Sequence, residues 1–290
     1  MCFKASPPVG ERFGEGSKSL LQNEKSPLSN QSVFLRFNLD YYIIVRITLF
    51  HFNCELFQHN WLPKPPNLTL FPDEVHIWRI PLDQPESQIQ YLATILSSDE
   101  LARANRFYFP EHRQRFIAGR GILRSILGEY LQIEPQQVKF DYEPRGKPFL
   151  ADNQSGLQFN LSHSQNLGLC AVNYTRQIGI DLEYIRPTSD LESLAQRFFL
   201  PGEYELLRSL PHDQKQKIFF RYWTCKEAYL KATGDGIAKL EEIEIALTPT
   251  EPASLQTFPA WNLLELVPDN NCVAAVAVAG FDWQPKFWQY

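Results

Sequence analysis

The chain has 290 residues, 44% of them hydrophobic, enough for one large domain or two fused small ones around a sizeable core. A net charge of −5 provides no global field for nucleic acid, so any anionic ligand must be met by a local basic patch. Five cysteines, Cys2, Cys54, Cys170, Cys225 and Cys272, include no C-x-x-C pair, which argues against a disulfide framework or zinc site and for a reducing cytoplasm.

Residues 1–30 are rich in Ser, Pro, Gly, Asn and Lys, and read as disordered, with no apolar core of a signal peptide. The apolar stretch from Val33 to Phe57 is cut by Arg36, Asp40, Arg46 and Glu55 into runs far shorter than the roughly 20 residues that span a bilayer. Pro63, Pro65, Pro66 and Pro72 then isolate it, so residues 1–74 read as an N-terminal extension, partly disordered. Alternation from Val75 to Ile80 predicts the first strand of the body. Ser97 with Asp99 and Glu100 predicts a capped helix start, and the apolar stripe Phe116, Ile117, Ile122, Leu123, Ile126 and Leu127 a long helix over 111–131. Strands are expected at 138–142, 157–161, 168–174 and 178–184, and a helix over 189–208. A second long helix ends at Gly234-Asp235-Gly236, and strands at 242–247, 261–266 and 272–279 complete the body. Strands and helices mix without a βαβ rhythm, which makes the class α+β.

Two segments carry chemistry. In Gly179-Ile180-Asp181-Leu182-Glu183 the strand period places Asp181 and Glu183 on one face, roughly 7 Å apart, with Ile180 and Leu182 on the other. In Trp223-Thr224-Cys225-Lys226-Glu227-Ala228-Tyr229-Leu230-Lys231, helical spacing stacks Glu227 and Lys231 one turn apart. Three hard oxygen donors suit a divalent cation on a diphosphate. Each segment alone has a plainer explanation, a solvated edge strand for the first and a surface i,i+4 ion pair for the second. Cys225 reads as a small core residue rather than a nucleophile. The arginines Arg103, Arg106, Arg113, Arg115, Arg120 and Arg124 serve equally as a solvated helix face, a phosphate site or a steering patch for an acidic partner.

Two further segments, Glu143-Pro144-Arg145-Gly146-Lys147-Pro148-Phe149 and Phe159-Asn160-Leu161-Ser162-His163-Ser164, precede these motifs. Together the four resemble the 4′-phosphopantetheinyl transferases of the monomeric Sfp type, whose signatures run G-[IV]-D-[IVL]-E and [FW]-[ST]-x-K-E-[AS]-x-x-K. The likeness covers about Val75 to Ala279. It implies a pseudo-twofold duplicated α+β fold, with halves at 75–180 and 181–290 and the active site between them. It also implies transfer of the phosphopantetheine arm of coenzyme A to a serine of an apo acyl or peptidyl carrier protein, releasing adenosine 3′,5′-bisphosphate. On this resemblance Asp181, Glu183 and Glu227 hold Mg²⁺, and Glu227 and Lys231 act in catalysis. His163, Arg103 and Arg115 meet the 3′-phosphate, Lys147, Pro148 and Ser162 line the nucleotide pocket, and Lys226 helps to hold phosphate. The Phe198-Phe199-Leu200-Pro201 corner aligns with the carrier-binding region, or is an ordinary helix-end contact. A carboxylate bound to Mg²⁺ is a poor base, so either a metal-bound water relays the serine proton or Glu227 meets the metal only transiently. A Mg²⁺-dependent hydrolase of nucleotide diphosphates and a non-catalytic carrier-protein binder remain alternatives. A cytoplasmic monomer without nucleic-acid or membrane partners is expected.

Overall fold

The computed structural model describes residues 59–151, 154–247 and 252–290, and within them one plan occurs twice. In the first repeat, strand β2 (Glu74–Pro81) leads through helices α1 (Glu86–Thr94), α2 (Ser98–Ala104) and α3 (Pro110–Leu131). A short hairpin follows, β3 (Phe140–Tyr142) with β4 (Pro148–Leu150), then a long one, β5 (Leu157–Ser164) with β6 (Leu167–Tyr174). The second repeat has β7 (Ile178–Tyr184), helices α4 (Leu191–Phe198), α5 (Pro201–Ser209) and α6 (His212–Thr233), and the short pair β8 (Ile245–Ala246) with β9 (Ser254–Leu255). It closes with the hairpin of β10 (Trp261–Leu266) and β11 (Cys272–Ala279). The last strand of each repeat pairs antiparallel with both the first strand and its hairpin partner, giving the orders β2-β6-β5 and β7-β11-β10. The α+β duplication expected from the sequence is therefore present. The turn between repeats lies at Thr175–Gln177, and Ile178 already belongs to β7, so a boundary at 180/181 falls inside a strand.

Buried charge repeats with the backbone. Glu100, the third residue of α2, binds Arg124 Nε at 2.7 Å, and Arg124 Nη1 donates to the Val138 and Pro135 carbonyls that frame the 3-10 turn after α3. Glu203, the third residue of α5, binds Lys226 Nζ at 2.6 Å, and Lys226 donates to the Leu240 and Ile243 carbonyls that frame the 3-10 turn after α6. Arg124 and Lys226 stand at the same place in helices of 22 residues each, Pro110 to Arg124 matching His212 to Lys226. Each cation joins a long helix to the capped start of the preceding helix and to the turn that follows. Burial without those partners would be costly.

The sheets pack face to face, Val75 and Ile77 of β2 and Leu169 of β6 meeting Ile180 and Leu182 of β7 and Val276 of β11. On the outer face of the first sheet, Trp78 and Ile80 meet Ile122 and Ile126 of α3. Helix α6 covers the outer face of β7 so closely that a Cβ at Gly179 would strike the Ala228 carbonyl and the Ala232 amide. Only glycine allows that approach.

The chain end crosses back to the first repeat. Strand β12 (Gln284–Gln289) pairs parallel with β2, and β1 (Leu62–Pro63) pairs parallel with β12. Leu70 is buried in the first core, and His59 stacks on Phe287 at 4.1 Å. Residues 59–73, expected in the extension, are thus part of the body, because β12 offers an edge and an aromatic face that sequence order does not reveal. The expected disorder of 1–30 and the apolar run from 33 to 57 lie outside the described residues. Two other expectations change. The helix over 189–208 is broken at Phe199–Leu200, ahead of Pro201, which disfavours a helical residue before it. The strand at 242–247 shrinks to β8 behind the 3-10 turn.

Candidate active site

Strands β5 and β7 run side by side, but side chains rather than backbone carbonyls join them. The Ile180 amide donates to Asn160 Oδ1 at 2.9 Å, the Leu182 amide to Ser162 Oγ at 3.2 Å, and the Tyr184 amide to Ser164 Oγ at 3.1 Å. Three rungs two residues apart on both strands define a parallel register between the repeats. The seam explains the polar side chains of Asn160, Ser162 and Ser164 on one face of β5, since each completes a β7 amide that would otherwise be unpaired.

Between those amides, Asp181 and Glu183 project toward α6. Asp181 is 4% exposed, and its Oδ1 accepts from Lys231 Nζ at 2.5 Å and from Ser162 Oγ at 3.2 Å. Its Oδ2 is buried and has no hydrogen-bond partner among the described residues. Glu183 Oε2 accepts from Ser164 Oγ at 3.4 Å. Glu183 and Glu227 both have their pKa pushed up to about 7, first by burial and then by the charge of Asp181, with Lys231 opposing. Burial would lower the pKa of Lys231, but Asp181, Glu227 and Glu183 outweigh it and hold Lys231 above the ordinary lysine value. Among the described residues the three carboxylates crowd around the Lys231 ammonium, a concentration of negative charge that a divalent cation would relieve. Among the described residues, no three His, Cys, Asp or Glu side chains lie close enough together, as placed, to hold a metal ion, so a cation would have to draw these carboxylates inward. The oxygen-rich donor set and the orphaned Asp181 Oδ2 fit a hard cation.

A cationic rim adjoins the carboxylates. His163 lies on the opposite face of β5 from Ser162, where its ring is open to solvent but crowded, and its pKa is lowered by desolvation and then by Lys231, Arg103 and Arg120. Arg120 was legible only as one member of a basic cluster. Its Nε reaches Glu100 Oε1 at 3.3 Å, while its Nη1 is buried and has no partner among the described residues. Arg103 lies over the Phe116 ring at 5.4 Å. Arg115 is held by Asp83 in a two-pronged ion pair at 2.6 and 3.2 Å, so a phosphate would have to compete with that carboxylate.

The loop from Glu143 to Lys147 docks on the end of α6. Lys147 Nζ donates to the Ala232 carbonyl at 2.9 Å, and Arg145 Nη1 to the Gly234 carbonyl at 3.4 Å. Gly234 terminates α6 at φ 79°, against the Glu143 carboxylate. Lys147 and Pro148 border a cleft of about 530 Å³ with Phe149, Gln158 and Phe159.

Two expected site residues are reassigned. Lys226 is 0% exposed and spends its ammonium on Glu203, Leu240 and Ile243, so it has no proton to offer a phosphate. Ser162 does not line the nucleotide pocket with a free hydroxyl. It accepts from the Leu182 amide and from Lys231 at 3.0 Å and donates to Asp181, which exhausts its bonding capacity. Cys225 is fully buried, as expected of a core residue. The Phe198 corner divides: Phe199 is buried against Phe219 and Tyr222, whereas half-buried Phe198 meets Trp223 at 5.9 Å.

Known proteins share both halves of this plan. Residues 177–277 match the 4′-phosphopantetheinyl transferase superfamily, and residues 83–175 match the N-terminal region of a 4′-phosphopantetheinyl transferase. The two matches meet at the turn between the repeats. The chain belongs to the 4′-phosphopantetheinyl transferase family and, within it, to the Sfp type. It is 85% identical over 237 residues to the 4′-phosphopantetheinyl transferase HetI of Nostoc sp., covering 100% of that protein and 81% of this chain. It is 32% identical over 164 residues to the 4′-phosphopantetheinyl transferase Sfp of Bacillus subtilis, 71% of that protein and 56% of this chain. It is 27% identical over 220 residues to the L-aminoadipate-semialdehyde dehydrogenase-phosphopantetheinyl transferase of Xenopus laevis, 73% of that protein and 68% of this chain.

Proposed function

We propose that this transferase moves the 4′-phosphopantetheine arm of coenzyme A onto a serine of an apo acyl or peptidyl carrier protein, with Mg²⁺, releasing adenosine 3′,5′-bisphosphate. The observation that carries the reading is the gathering of Asp181, Glu183 and Glu227 around Lys231, with Asp181 Oδ2 buried and, among the described residues, unpartnered. Asp181, Glu183 and Glu227 would hold the cation, whose chemistry there is to neutralise charge on the diphosphate.

The chain's own groups do the rest. Lys231 supplies positive charge to the departing phosphate. The serine oxygen bonds to the phosphorus bearing the pantetheine arm, the bridging P–O bond breaks, and the bisphosphate leaves with its electron pair. Without the cation Glu227 has a pKa of about 7 and could take the serine proton itself; holding the cation it would be a poor base, and a water it orients would take that proton instead. Arg103 and Arg120 provide a cationic rim for the 3′-phosphate, with His163 beside them as a neutral imidazole able to donate one hydrogen bond, and Lys147 and Pro148 border the nucleotide. Among the described residues no helix is long and apolar enough to cross a membrane, and we assign the protein to the cytoplasm as a monomer.

The test is to incubate the protein with coenzyme A, Mg²⁺ and an apo carrier protein. Carrier mass should rise by one phosphopantetheine arm, and chelator should abolish the gain. Free phosphopantetheine with unmodified carrier would assign hydrolysis instead, and carrier binding without consumption of coenzyme A would leave only a binder.

A further inference from the structure

The seam between β5 and β7 has a regularity that closure of the fold does not require. Each rung pairs a β5 side chain with a β7 amide, and at two of the three the preceding β7 residue is a carboxylate. The Ser162 hydroxyl is fixed by the Leu182 amide and donates to Asp181, and the Ser164 hydroxyl is fixed by the Tyr184 amide and donates to Glu183. At the third rung, Asn160 holds the Ile180 amide, and the matching place is Gly179, pressed against α6 with no side chain to orient.

A serine hydroxyl has one proton and two lone pairs. With a lone pair committed to a β7 amide, the hydroxyl oxygen is fixed and its proton goes to the nearest acceptor, the carboxylate one residue back. The two hydroxyl–carboxylate contacts, 3.2 and 3.4 Å, are longer than an ordinary O–H···O bond, as expected when the amide sets the position of the oxygen. Each serine engages one oxygen of its carboxylate, Asp181 Oδ1 or Glu183 Oε2. Asp181 Oδ2 is left buried and, among the described residues, without a partner.

We infer that Ser162 and Ser164 are positioning residues, which use the β7 backbone as a template to aim Asp181 and Glu183 at the divalent cation. The inference rests on the carboxylate site proposed above. It assigns to Ser164 a role that neither its motif nor its partial burial indicates. Hydroxyls that orient metal-binding carboxylates are typically worth about 10- to 100-fold in metal affinity.

The experiment measures Mn²⁺ binding by water-proton relaxation, with thermal unfolding of the same samples, for wild type, Asp181→Asn, Ser164→Ala and Ser164→Thr. The inference expects Mn²⁺ affinity to fall about 10- to 100-fold in Ser164→Ala and to recover in Ser164→Thr, which keeps the hydroxyl. If Ser164→Ala loses thermal stability but binds Mn²⁺ as wild type does, the serine is only a strut and the inference is overturned. If Ser164→Ala does not fold, wild-type Mn²⁺ affinity in Ser164→Thr supports the inference and a loss there overturns it. If wild type binds no Mn²⁺, or Asp181→Asn binds it unchanged, the carboxylate site itself fails, and the inference with it.

Discussion

Replacing Glu227 with glutamine should stabilise the protein several-fold more at pH 8 than at pH 5. The carboxyl rises from a pKa of 4.5 to about 7 on folding, because α6 buries it beside the charge of Asp181. The folded state therefore holds the proton more tightly than the unfolded chain. The associated stability is complete below pH 4.5 and is lost as the pH rises to about 7. At about 1.4 kcal/mol per pH unit, a fully realised shift costs about 3 kcal/mol at pH 8. Water at a partly open site screens some of this, which makes about 2 kcal/mol a reasonable expectation. Urea unfolding in chelator at the two pH values measures it. His59, His76 and His163, whose pKa values burial lowers, act in the opposite sense below pH 6.5, and subtracting the variant from wild type removes their contribution. A difference between variant and wild type that is the same at pH 5 and pH 8 would refute the electrostatic account of the site. The same variant should lose about 10²- to 10⁴-fold in kcat, so that here stability and activity oppose each other.

Lys226→Met should cost about 3–5 kcal/mol by stranding Glu203, while protein kept folded at low temperature retains its KM for coenzyme A; a raised KM without loss of Tm would return Lys226 to the phosphate site. Gly179→Ala should destabilise by about 3 kcal/mol, because Ala228 and Ala232 leave no room for a methyl group, and calorimetry showing wild-type Tm would contradict that packing. Removing residues 1–73 should lower Tm by several degrees relative to removing 1–58, since the longer deletion takes β1, Trp61 and the buried Leu70. Equal melting of the two truncations would place 59–73 outside the cooperative body.

Much of the site was legible in the residues because its motifs are local. Asp181 and Glu183 share a face through strand period alone, and Glu227 and Lys231 share one through helical period. No longer-range information is needed for either pair, and both recur in the folded chain. Lys226 shows the limit. It stands beside Glu227 in the same motif, yet the helix turns it about 100° away, toward Glu203 and two carbonyls that lie 14 and 17 residues beyond it. Adjacency in sequence suggested a shared role, and the helix separates the two residues.

Local periods alone set the two long helices, most of the strands, the α+β class and the pairs of groups that chemistry needs, because strand and helix periods act within a few residues. Tertiary structure decided which of those groups meet. It brought the carboxylate strand of one repeat beside the hairpin of the other and replaced a backbone ladder with Asn160, Ser162 and Ser164. It also folded the chain end back as β12, which draws residues 59–73 into the body. Such contacts depend on the pairing of edges distant in sequence, and on burial that shifts Glu183 and Glu227 to about 7. No local period records either one.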